Sequence, residues 1–345
     1  MAKVAINGFG RIGRTFFKMA MDHPDFEVVA INDLGDLENL AYLLKYDTAY
    51  GRGQYEVTTE DGSLIVNGKK IAFVQEREPQ SLPWKEMEID IVMEATGFFA
   101  SYEKSKLHLD AGAKRVVISG PVKDEASDAG IVGATVLMGV NEDALSSCDI
   151  SSNASCTTNA TSPLVAILKE SIGIDKAILN TIHAYTSTQS LVDGPKKDFR
   201  KGRAAAQNII PTSTGAAVAT TLVHTDLANK FDGISIRVPI PVGSLVDVTF
   251  IASRDTTVEE VNTLLKDAAA KEQWQNLFTV TDEPLVSSDI IGAKFAAIAD
   301  LGMTRVVDGN LVKVLAWYDN ETSYTHTLTE HVAAVARFFN SKKDA

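Results

Sequence analysis

Only two cysteines, Cys148 and Cys156, occur in the 345 residues of this chain, and acidic residues outnumber basic ones to give a net charge of −12. Two cysteines do not make a disulfide framework, which favours a reducing compartment and predicts a cytoplasmic protein. The acidic balance gives no support for binding to nucleic acid or to an anionic membrane. No run reaches the roughly 18 to 20 apolar residues of a membrane span, and the N-terminus lacks a signal-peptide pattern, so we expect neither.

The first half of the chain alternates short apolar strands with amphipathic helices. Strands are predicted to begin near Val4, Glu27, Ile89 and Arg115, with helices between them. This order predicts right-handed crossovers and a parallel α/β sheet. The turn dipeptides at 61–62 and 67–68 predict a short β excursion inserted into it. The length of the chain favours two domains over one.

From about residue 156 the pattern changes to one helix, at 156–171, followed by long strands at 176–185, 233–238, 246–253 and 311–318. This pattern predicts an α+β domain with a mostly antiparallel sheet, which we place at 156–322. A charged, turn-rich segment of unusual length lies at 187–211, and such a segment is either functional or disordered. The segment 323–345 carries a helix with one apolar stripe, which is expected to pack back on the first domain.

A GxGxxG motif, Gly8-Phe9-Gly10-Arg11-Ile12-Gly13, directly follows the first predicted strand and opens the first helix. In that position Gly8 permits a tight turn, Gly10 lets a pyrophosphate approach, and Gly13 lets the helix pack closely on the strand. The amides at the N-terminus of the helix suit the phosphates. The alternative is a glycine-rich turn that binds no ligand.

Asp33 ends the second predicted strand, where a carboxylate accepts hydrogen bonds from the adenosine ribose and repels a 2′-phosphate. The cofactor is therefore predicted to be NAD rather than NADP, bound by a Rossmann-type domain over 1–155. Asp33 is alternatively a turn or helix cap, since aspartate suits both. Thr96 and Ser119 lie near the ends of predicted parallel strands and fit cofactor contacts at the carboxyl edge of the sheet.

Cys156 lies among small polar residues just before an apolar helical run. At the N-terminus of a helix a thiol has a lowered pKa, and more of it is the nucleophilic thiolate. His183 follows in the chain, and a cysteine activated by a histidine is typical of covalent catalysis. Taken alone, Cys156 equally fits a small buried apolar residue.

These motifs together closely resemble those of phosphorylating glyceraldehyde-3-phosphate dehydrogenases. The resemblance covers nearly the whole chain and includes the runs at 7–14, 43–47, 152–159, 183–186, 208–217, 237–239 and 317–321. It implies oxidative phosphorylation of D-glyceraldehyde 3-phosphate to 1,3-bisphosphoglycerate with reduction of NAD, in glycolysis or gluconeogenesis. Cys156 would form a hemithioacetal and then a thioester, with His183 as the base. The resemblance also implies a homotetramer.

The chemistry implied by this resemblance needs two phosphate sites. Thr186 and Arg237 would hold the substrate phosphate, and the inorganic phosphate would be held by Ser155, Thr157, Arg203, Thr214 and Gly215. Arg77 resembles the family's adenine-side arginine. Asn320 would anchor the nicotinamide carboxamide, although in its run it equally fits a turn residue. For the lysines of the basic cluster at 196–203, a solvated or interface role is the preferred interpretation.

The chain departs from the family pattern in ways that leave cofactor preference and subunit contacts open. Ala160 stands where a second cysteine is common, Val218 where a lysine is usual, and Thr322-Ser323 where Trp-Gly is common. The alternatives are an erythrose-4-phosphate dehydrogenase, an NADP-tolerant relative or, in another class, a non-catalytic NAD-responsive binding protein. We expect no metal site and assign no role to four histidines without convergent partners, His23, His108, His224 and His326.

Overall fold

The structure, a computed structural model, describes residues 1–343, the last three of them by their backbone only. The chain divides into two compact units. The first contains residues 1–154 together with the C-terminal segment from Thr325, and the second contains residues 155–324. Within the described residues, no helix is long and apolar enough to cross a membrane.

The first unit is built on a mostly parallel sheet. Its helices are α1 (Arg11–Ala20), α2 (Leu37–Lys45) and α3 (Tyr102–Asp110). Its strands are β1 (Ala2–Asn7), β2 (Phe26–Asn32), β3 (Tyr46–Asp47), β4 (Gly51–Arg52), β5 (Val57–Glu60), β6 (Ser63–Val66), β7 (Lys69–Val74), β8 (Ile91–Glu94), β9 (Arg115–Ile118), β10 (Gly133–Thr135) and β11 (Ile150–Ser152).

The order of the nine-stranded sheet is β10-β11-β9-β8-β1-β2-β7-β6-β5, and β3 pairs with β4 in a separate ribbon. Strands β1, β2, β7, β8, β9, β10 and β11 run parallel, whereas the hairpins β5/β6 and β6/β7 are the predicted antiparallel excursion. All four residues of β8 are buried, as expected for a parallel strand covered on both faces. The strand order reverses beside β1, which is where doubly wound sheets bind ligands.

Local capping explains where the helices of this unit begin. Asp36 caps α2 by accepting a hydrogen bond from Asn39 N at 2.8 Å. Asp124 accepts the amides of Tyr102 and Glu103 at the start of α3, both at 3.0 Å. Helix α1 instead follows Gly10, which has no side chain with which to cap it. A helix that begins in this way suits an anion at its N-terminus.

The second unit packs helices against a mixed, mainly antiparallel sheet. Its helices are α4 (Cys156–Ile172), α5 (Ala216–Thr221) and α6 (Val258–Ala269), and α7 (Thr322–Lys343) begins in it. Its strands are β12 (Lys176–Ala184), β13 (Ile210–Ser213), β14 (Phe231–Val238), β15 (Ser244–Ile251), β16 (Phe278–Thr281), β17 (Ala297–Asp300), β18 (Arg305–Val307) and β19 (Leu311–Tyr318).

The order of this sheet is β13-β14-β12-β15-β19-β17-β16, with β18 paired to β19. The pairs β12/β14 and β16/β17 are parallel and the others are antiparallel. Helix α4 packs on β15, β17 and β19. The predicted fold class is therefore confirmed, but α5, α6 and the short strands β13 and β16 to β18 were not predicted. Strands of three or four residues leave too short a pattern to recognise.

From Thr325, helix α7 belongs to the first unit. Its apolar stripe is buried there through Leu328, Val332 and Ala336. Polar contacts also hold it to this unit, because His331 Nε2 lies 2.7 Å from Ser151 Oγ and Arg337 donates to Asp25 at 3.0 Å.

Candidate active site and cofactor cleft

The glycine-rich loop between β1 and α1 has a shape that only glycine allows at two positions. Gly8 has a φ of +96°, and a Cβ there would lie 2.7 Å from Thr96 N. A Cβ on Gly13 would lie 2.1 Å from the carbonyl oxygen of Gly8. Gly10 differs, since a Cβ there would meet no atom within 4 Å. Gly10 thus leaves open the approach that a pyrophosphate needs, and the loop fits a dinucleotide.

A cleft of about 460 Å³ opens beside this loop at the carboxyl ends of the parallel strands. Five residues predicted to bind the cofactor line it, namely Gly8, Gly10, Asp33, Arg77 and Thr96. The remaining lining residues are Asn7, Asn32, Leu34, Glu76, Glu78, Ala95, Phe98 and Phe99. Strand ends at a switch in strand order are the expected location for such a cleft.

The other predicted cofactor residues lie at the loop or beside it. Phe9 is buried, with its ring edge-on to Phe17 at 5.8 Å. Ile12 lies in the first turn of α1, and the Arg11 side chain donates to Asp47 at 2.8 Å. Ser119 follows β9 and donates its amide to the carbonyl of Glu94 at 2.8 Å.

Asp33 joins two turns at the edge of the cleft. Its Oδ2 accepts the amide of Phe9 at 2.6 Å, and its Oδ1 accepts the amide of Gly35 at 2.7 Å. The carboxylate therefore caps a turn, as the alternative interpretation required, and also lines the cleft. An ionised carboxylate has about four acceptor positions, so these two bonds are compatible with further ones to a ribose.

In the second unit, Cys156 is the first residue of α4 and lies beside His183. Ser155 is the N-cap of the helix, and its Oγ accepts the amide of Thr158 at 3.1 Å. Cys156 Sγ lies 3.3 Å from His183 Nε2. His183, near the end of β12, is 3% exposed, whereas Cys156 is half-buried. Two residues predicted from separate motifs are thus in direct contact.

Arg237 lies beside this pair because its strand, β14, runs parallel to β12. The register places Arg237 directly beside His183. Arg237 Nη1 donates to the carbonyl of Ala184 at 3.0 Å and lies 2.7 Å from His183 Nδ1. His183 Nδ1 donates to the same carbonyl at 2.6 Å, which leaves Nε2 as the acceptor that faces the thiol. Of the residues predicted to hold substrate phosphate, Arg237 is therefore in contact with the candidate base.

The protonation of the pair is governed mainly by its burial. Burial, and to a smaller extent the nearby Arg237 guanidinium, lower the pKa of His183 to about 3. Burial raises the pKa of the Cys156 thiol, while Arg237 and hydrogen bonds from Thr157 oppose that rise. The expectation of a lowered thiol pKa is therefore wrong, because loss of solvation outweighs the amides at the helix N-terminus. The resting pair is a neutral thiol beside a neutral imidazole that accepts a proton.

Tyr318, within the run 317–321, is a functional candidate whose role was not predicted from the sequence. It is fully buried, and its hydroxyl lies 2.9 Å from the hydroxyls of both Thr157 and Thr181. Its ring is edge-on to His183 with centroids 6.0 Å apart. Tyr318 therefore supports the imidazole and the first turn of α4 together. Its alternation along β19 shows that it is buried, but no sequence signal places it beside His183.

The other predicted phosphate-binding residues lie on loops at the ends of strands. Thr186 follows β12, and its hydroxyl lies 2.8 Å from that of Thr188. Thr214 and Gly215 lie between β13 and α5, where the Thr214 hydroxyl accepts the amide of Ala216 at 3.2 Å. Within residues 1–343, no hydrogen bond joins these residues to Cys156. Their assignment to phosphate sites continues to rest on the sequence motifs.

The segment 187–211 is largely irregular, with two short 3-10 turns. Within it Arg203 donates to Asp193 at 2.9 Å, and both side chains are exposed. Several apolar side chains of the segment are also exposed, with Phe199 at 88% and Leu191 at 81%. Exposed apolar groups in this number are typical of an interaction surface.

Asn320 lies between β19 and α7 and is buried. Its Oδ1 accepts hydrogen bonds from the amide of Gly243 at 3.2 Å and the hydroxyl of Ser244 at 3.0 Å. Because a backbone amide only donates, the oxygen of Asn320 must face Gly243. The side-chain NH₂ group is consequently the end directed away from that amide.

Comparisons with known proteins agree with both units. Residues 2–102 match the model for "Glyceraldehyde 3-phosphate dehydrogenase, NAD binding domain", and residues 155–320 match that for its C-terminal domain. The chain is 46% identical to glyceraldehyde-3-phosphate dehydrogenase of Geobacillus stearothermophilus, over 97% of this chain and 98% of that protein. It is 47% identical to glyceraldehyde-3-phosphate dehydrogenase 2 of Streptomyces avermitilis, over 95% and 96% respectively.

The match of the first unit to an NAD-binding domain makes this protein an NAD-dependent oxidoreductase. Because similarity extends through both units, the chain belongs to the glyceraldehyde-3-phosphate dehydrogenase family. These findings confirm the predicted family, the predicted enzyme class and NAD as the cofactor.

Proposed function

We propose that this protein oxidises and phosphorylates glyceraldehyde 3-phosphate to 1,3-bisphosphoglycerate through a thioester on Cys156, as a step of glycolysis. The observation that carries this mechanism is the distance of 3.3 Å between Cys156 Sγ and His183 Nε2. Hydrogen-bond reach between nucleophile and base is the geometric requirement for covalent catalysis. NAD, when bound, supplies the acceptor for the hydride that leaves the substrate.

His183 acts as base in two steps of this proposal. As the sulfur attacks the aldehyde carbon, His183 Nε2 takes the thiol proton and returns it to the new oxyanion, which gives a hemithioacetal. His183 then removes the hydroxyl proton while hydride leaves the same carbon, which gives the thioester. An imidazole whose pKa is lowered to about 3 is unprotonated at the start of each step. Attack by inorganic phosphate breaks the carbon–sulfur bond and releases the acyl phosphate, and the leaving sulfur takes back the proton held by His183, which restores the starting thiol and imidazole.

Arg237 is proposed to bind a phosphate beside the base. Its guanidinium suits a phosphate through its planar fork of donors. It contacts His183 Nδ1 at 2.7 Å, so a phosphate on Arg237 would lie beside the base. Thr186 is proposed to share this first phosphate, and the second phosphate is assigned to Ser155, Thr157, Arg203, Thr214 and Gly215.

The cleft of the first unit is proposed to hold NAD. Gly8, Gly10 and the start of α1 would bind the pyrophosphate, and Asp33 the adenosine ribose, which would disfavour NADP. Arg77 lines the cleft and is assigned to the adenine side. Asn320 is assigned to the nicotinamide carboxamide, because its oxygen is already occupied and its NH₂ group suits a carbonyl. The remaining assignments to this site are Phe9, Arg11, Ile12, Gly13, Thr96 and Ser119.

A homotetramer in the cytoplasm is the proposed assembly and location. The exposed apolar side chains of the segment 187–211 support association, with Val192 and Ile209 adding to Phe199 and Leu191. A second copy of this chain is the proposed occupant of that surface. A reducing compartment is favoured because a mechanism through Cys156 needs a free thiol.

Absorbance of NADH, followed with glyceraldehyde 3-phosphate and NAD in the presence and absence of inorganic phosphate, tests the reaction. Sustained turnover that requires phosphate is the expected result, with a single burst of NADH per active site when phosphate is omitted. Sustained turnover without phosphate would show that water resolves the thioester and would overturn the second phosphate site. Faster turnover of erythrose 4-phosphate than of glyceraldehyde 3-phosphate would overturn the proposed substrate.

A further inference from the structure

A row of buried polar side chains lies beneath the floor of the cofactor cleft. Trp84 Nε1 donates to His108 Nδ1 at 3.0 Å, and His108 Nε2 lies 3.2 Å from Glu94 Oε2. Asn7 Nδ2 donates to the same carboxylate oxygen. Each of these four residues is at most 1% exposed. Neither the proposed chemistry nor the predicted cofactor contacts use Trp84, His108 or Glu94.

The indole of Trp84 determines which nitrogen of His108 carries the proton. An indole N–H only donates, so His108 Nδ1 must accept and is unprotonated. The proton of the neutral imidazole is consequently on Nε2, which faces Glu94. Trp84 therefore makes His108 a donor to Glu94 and holds its ring in one orientation.

Glu94 is the point at which this row meets the cleft. Besides His108 and Asn7, it binds Thr96 twice, because its Oε1 accepts both the amide at 2.7 Å and the hydroxyl at 2.5 Å. Four donors converge on its two oxygens, which an ionised carboxylate satisfies. Thr96 and Asn7 both line the cleft, at the ends of β8 and β1.

The row continues from Asn7 to the next strand. Asn7 Oδ1 accepts Asn32 Nδ2 at 2.7 Å, and Asn32 exchanges hydrogen bonds with the backbone of Glu76 at 2.8 and 2.9 Å. Asn32 and Glu76 also line the cleft. Glu94 thus anchors a network that fixes the carboxyl ends of β1, β2 and β8 and the segment after β7.

We propose that Trp84, His108 and Glu94 form a positioning relay for the NAD site. The relay holds Asn7 and Thr96 in place before the cofactor arrives, so that binding costs less reorganisation. All three are positioning residues, since they reach the cleft only through Asn7 and Thr96. The inference rests on the proposed assignment of the cleft to NAD, and it gives His108 a role that the sequence analysis did not.

Glu94→Gln and Trp84→Phe test the relay. Glutamine keeps the shape of Glu94 but turns an NH₂ group toward donors, and phenylalanine removes the indole N–H that orients His108. We expect the Kd for NAD, measured by calorimetry, to rise roughly tenfold in Glu94→Gln and by less in Trp84→Phe. The KM for NAD should rise likewise, while kcat at saturating NAD and the KM for glyceraldehyde 3-phosphate stay near their original values.

The double variant separates a relay from independent packing defects. If Trp84 acts through Glu94, adding Trp84→Phe to Glu94→Gln leaves the Kd for NAD where Glu94→Gln alone put it. Tyr55→Phe is the matched control, because it removes a hydrogen bond of the same unit, from Tyr55 to the carbonyl of Leu44 at 2.7 Å. Tyr55→Phe should lower Tm without changing the Kd for NAD.

Three results would overturn the relay, namely unchanged NAD binding in both single variants, additive effects in the double variant, or an equal rise of Kd in Tyr55→Phe. If Glu94→Gln does not fold, the Kd of Trp84→Phe for NAD decides, and its Tm reports the packing that is lost when the smaller ring replaces a fully buried indole. Failure of the unmodified protein to bind NAD would instead overturn the assignment of the cleft.

Discussion

The two cysteines of this chain differ in their surroundings. Cys156 is half-buried, whereas Cys148 is buried. Cys156 lies 3.3 Å from His183, whereas Cys148 donates to the backbone carbonyl of Ala144 at 3.1 Å. We expect Cys156→Ser to lower kcat by at least about a thousandfold while NAD binding is retained, because a serine hydroxyl is a far weaker nucleophile than a thiol here. Steady-state rates and NAD titration check both parts.

Cys148→Ser is the control for that substitution, since it makes the same change of sulfur to oxygen away from His183. Burial raises the pKa of Cys148, so it remains a thiol at neutral pH. Cys148→Ser should keep its kcat and lose only some stability. Equal loss of activity in the two variants would argue against Cys156 as the nucleophile.

Arg237 determines how far the thiol of Cys156 ionises against the effect of burial. Burial raises the pKa of Cys156, and the Arg237 guanidinium partly offsets that rise. Arg237→Gln should therefore raise the thiol pKa, and a rise of about one unit would slow alkylation by iodoacetamide about tenfold near neutral pH. The rate measured against pH should shift toward alkaline values. Arg254→Gln, which removes an exposed arginine paired with Glu260, should leave that profile unchanged.

At the scale of elements, the loop before α1 offers two glycines with opposite constraints. A Cβ on Gly13 would lie 2.1 Å from the carbonyl of Gly8, so Gly13→Ala must push α1 away from β1. It should lower the free energy of unfolding by roughly 1 to 3 kcal/mol, the range for overpacking. Gly10 has an ordinary φ of −71° and open space around its Cα.

Gly10→Ala should therefore leave Tm nearly unchanged while raising the Kd for NAD, since the methyl group would occupy the approach to α1. Thermal unfolding and NAD titration of the two variants separate folding from binding. Unchanged NAD binding in Gly10→Ala would contradict the assignment of the loop to the pyrophosphate, whereas a large fall in its Tm would contradict the open space around Gly10.

The helices and strands also show how much of the fold can be predicted from the sequence. The GxGxxG motif predicted β1, the glycine-rich loop and α1 together, because the motif indicates a dinucleotide site only where it follows a strand and opens a helix. Helix α6 was missed although Thr257 caps it through the amide of Glu260 and acidic residues fill its first turn. These residues indicate the start of a helix. The strands β16 and β17 are four residues each and gave no pattern to read.

The active pair shows where sequence reasoning ends. The residue types of Cys156 and His183 suggested their chemistry, but their contact depends on β12 ending beside the first turn of α4. Arg237 meets His183 only through the parallel register of β12 and β14. The direction in which the pKa of the Cys156 thiol shifts could not be predicted, because it depends on burial. A position near a helix N-terminus in the sequence does not reveal that burial.

For the whole molecule, three buried histidines predict how stability depends on pH. Burial lowers the pKa of His183 to about 3, that of His224 to about 4 and that of His331 to about 3. An unfolded chain binds protons at histidine near its ordinary pKa of about 6.5. Between these values the unfolded state holds more protons than the folded state, so stability falls as pH falls.

As pH falls, the loss of stability begins near pH 6.5 and continues until these histidines take up protons in the folded state, near pH 4 to 3. Between pH 7 and pH 5 each histidine should remove about 2 kcal/mol from the free energy of unfolding. His331→Gln tests the contribution of one of the three histidines. The amide of glutamine does not titrate, and it keeps a polar partner for Ser151 and Asn153. Between pH 7 and pH 5, the free energy of unfolding of the first unit, measured with urea, should then fall by about 2 kcal/mol less in His331→Gln than in the original protein. An identical loss in both proteins would show that His331 is already protonated when folded, and that its burial does not set its charge.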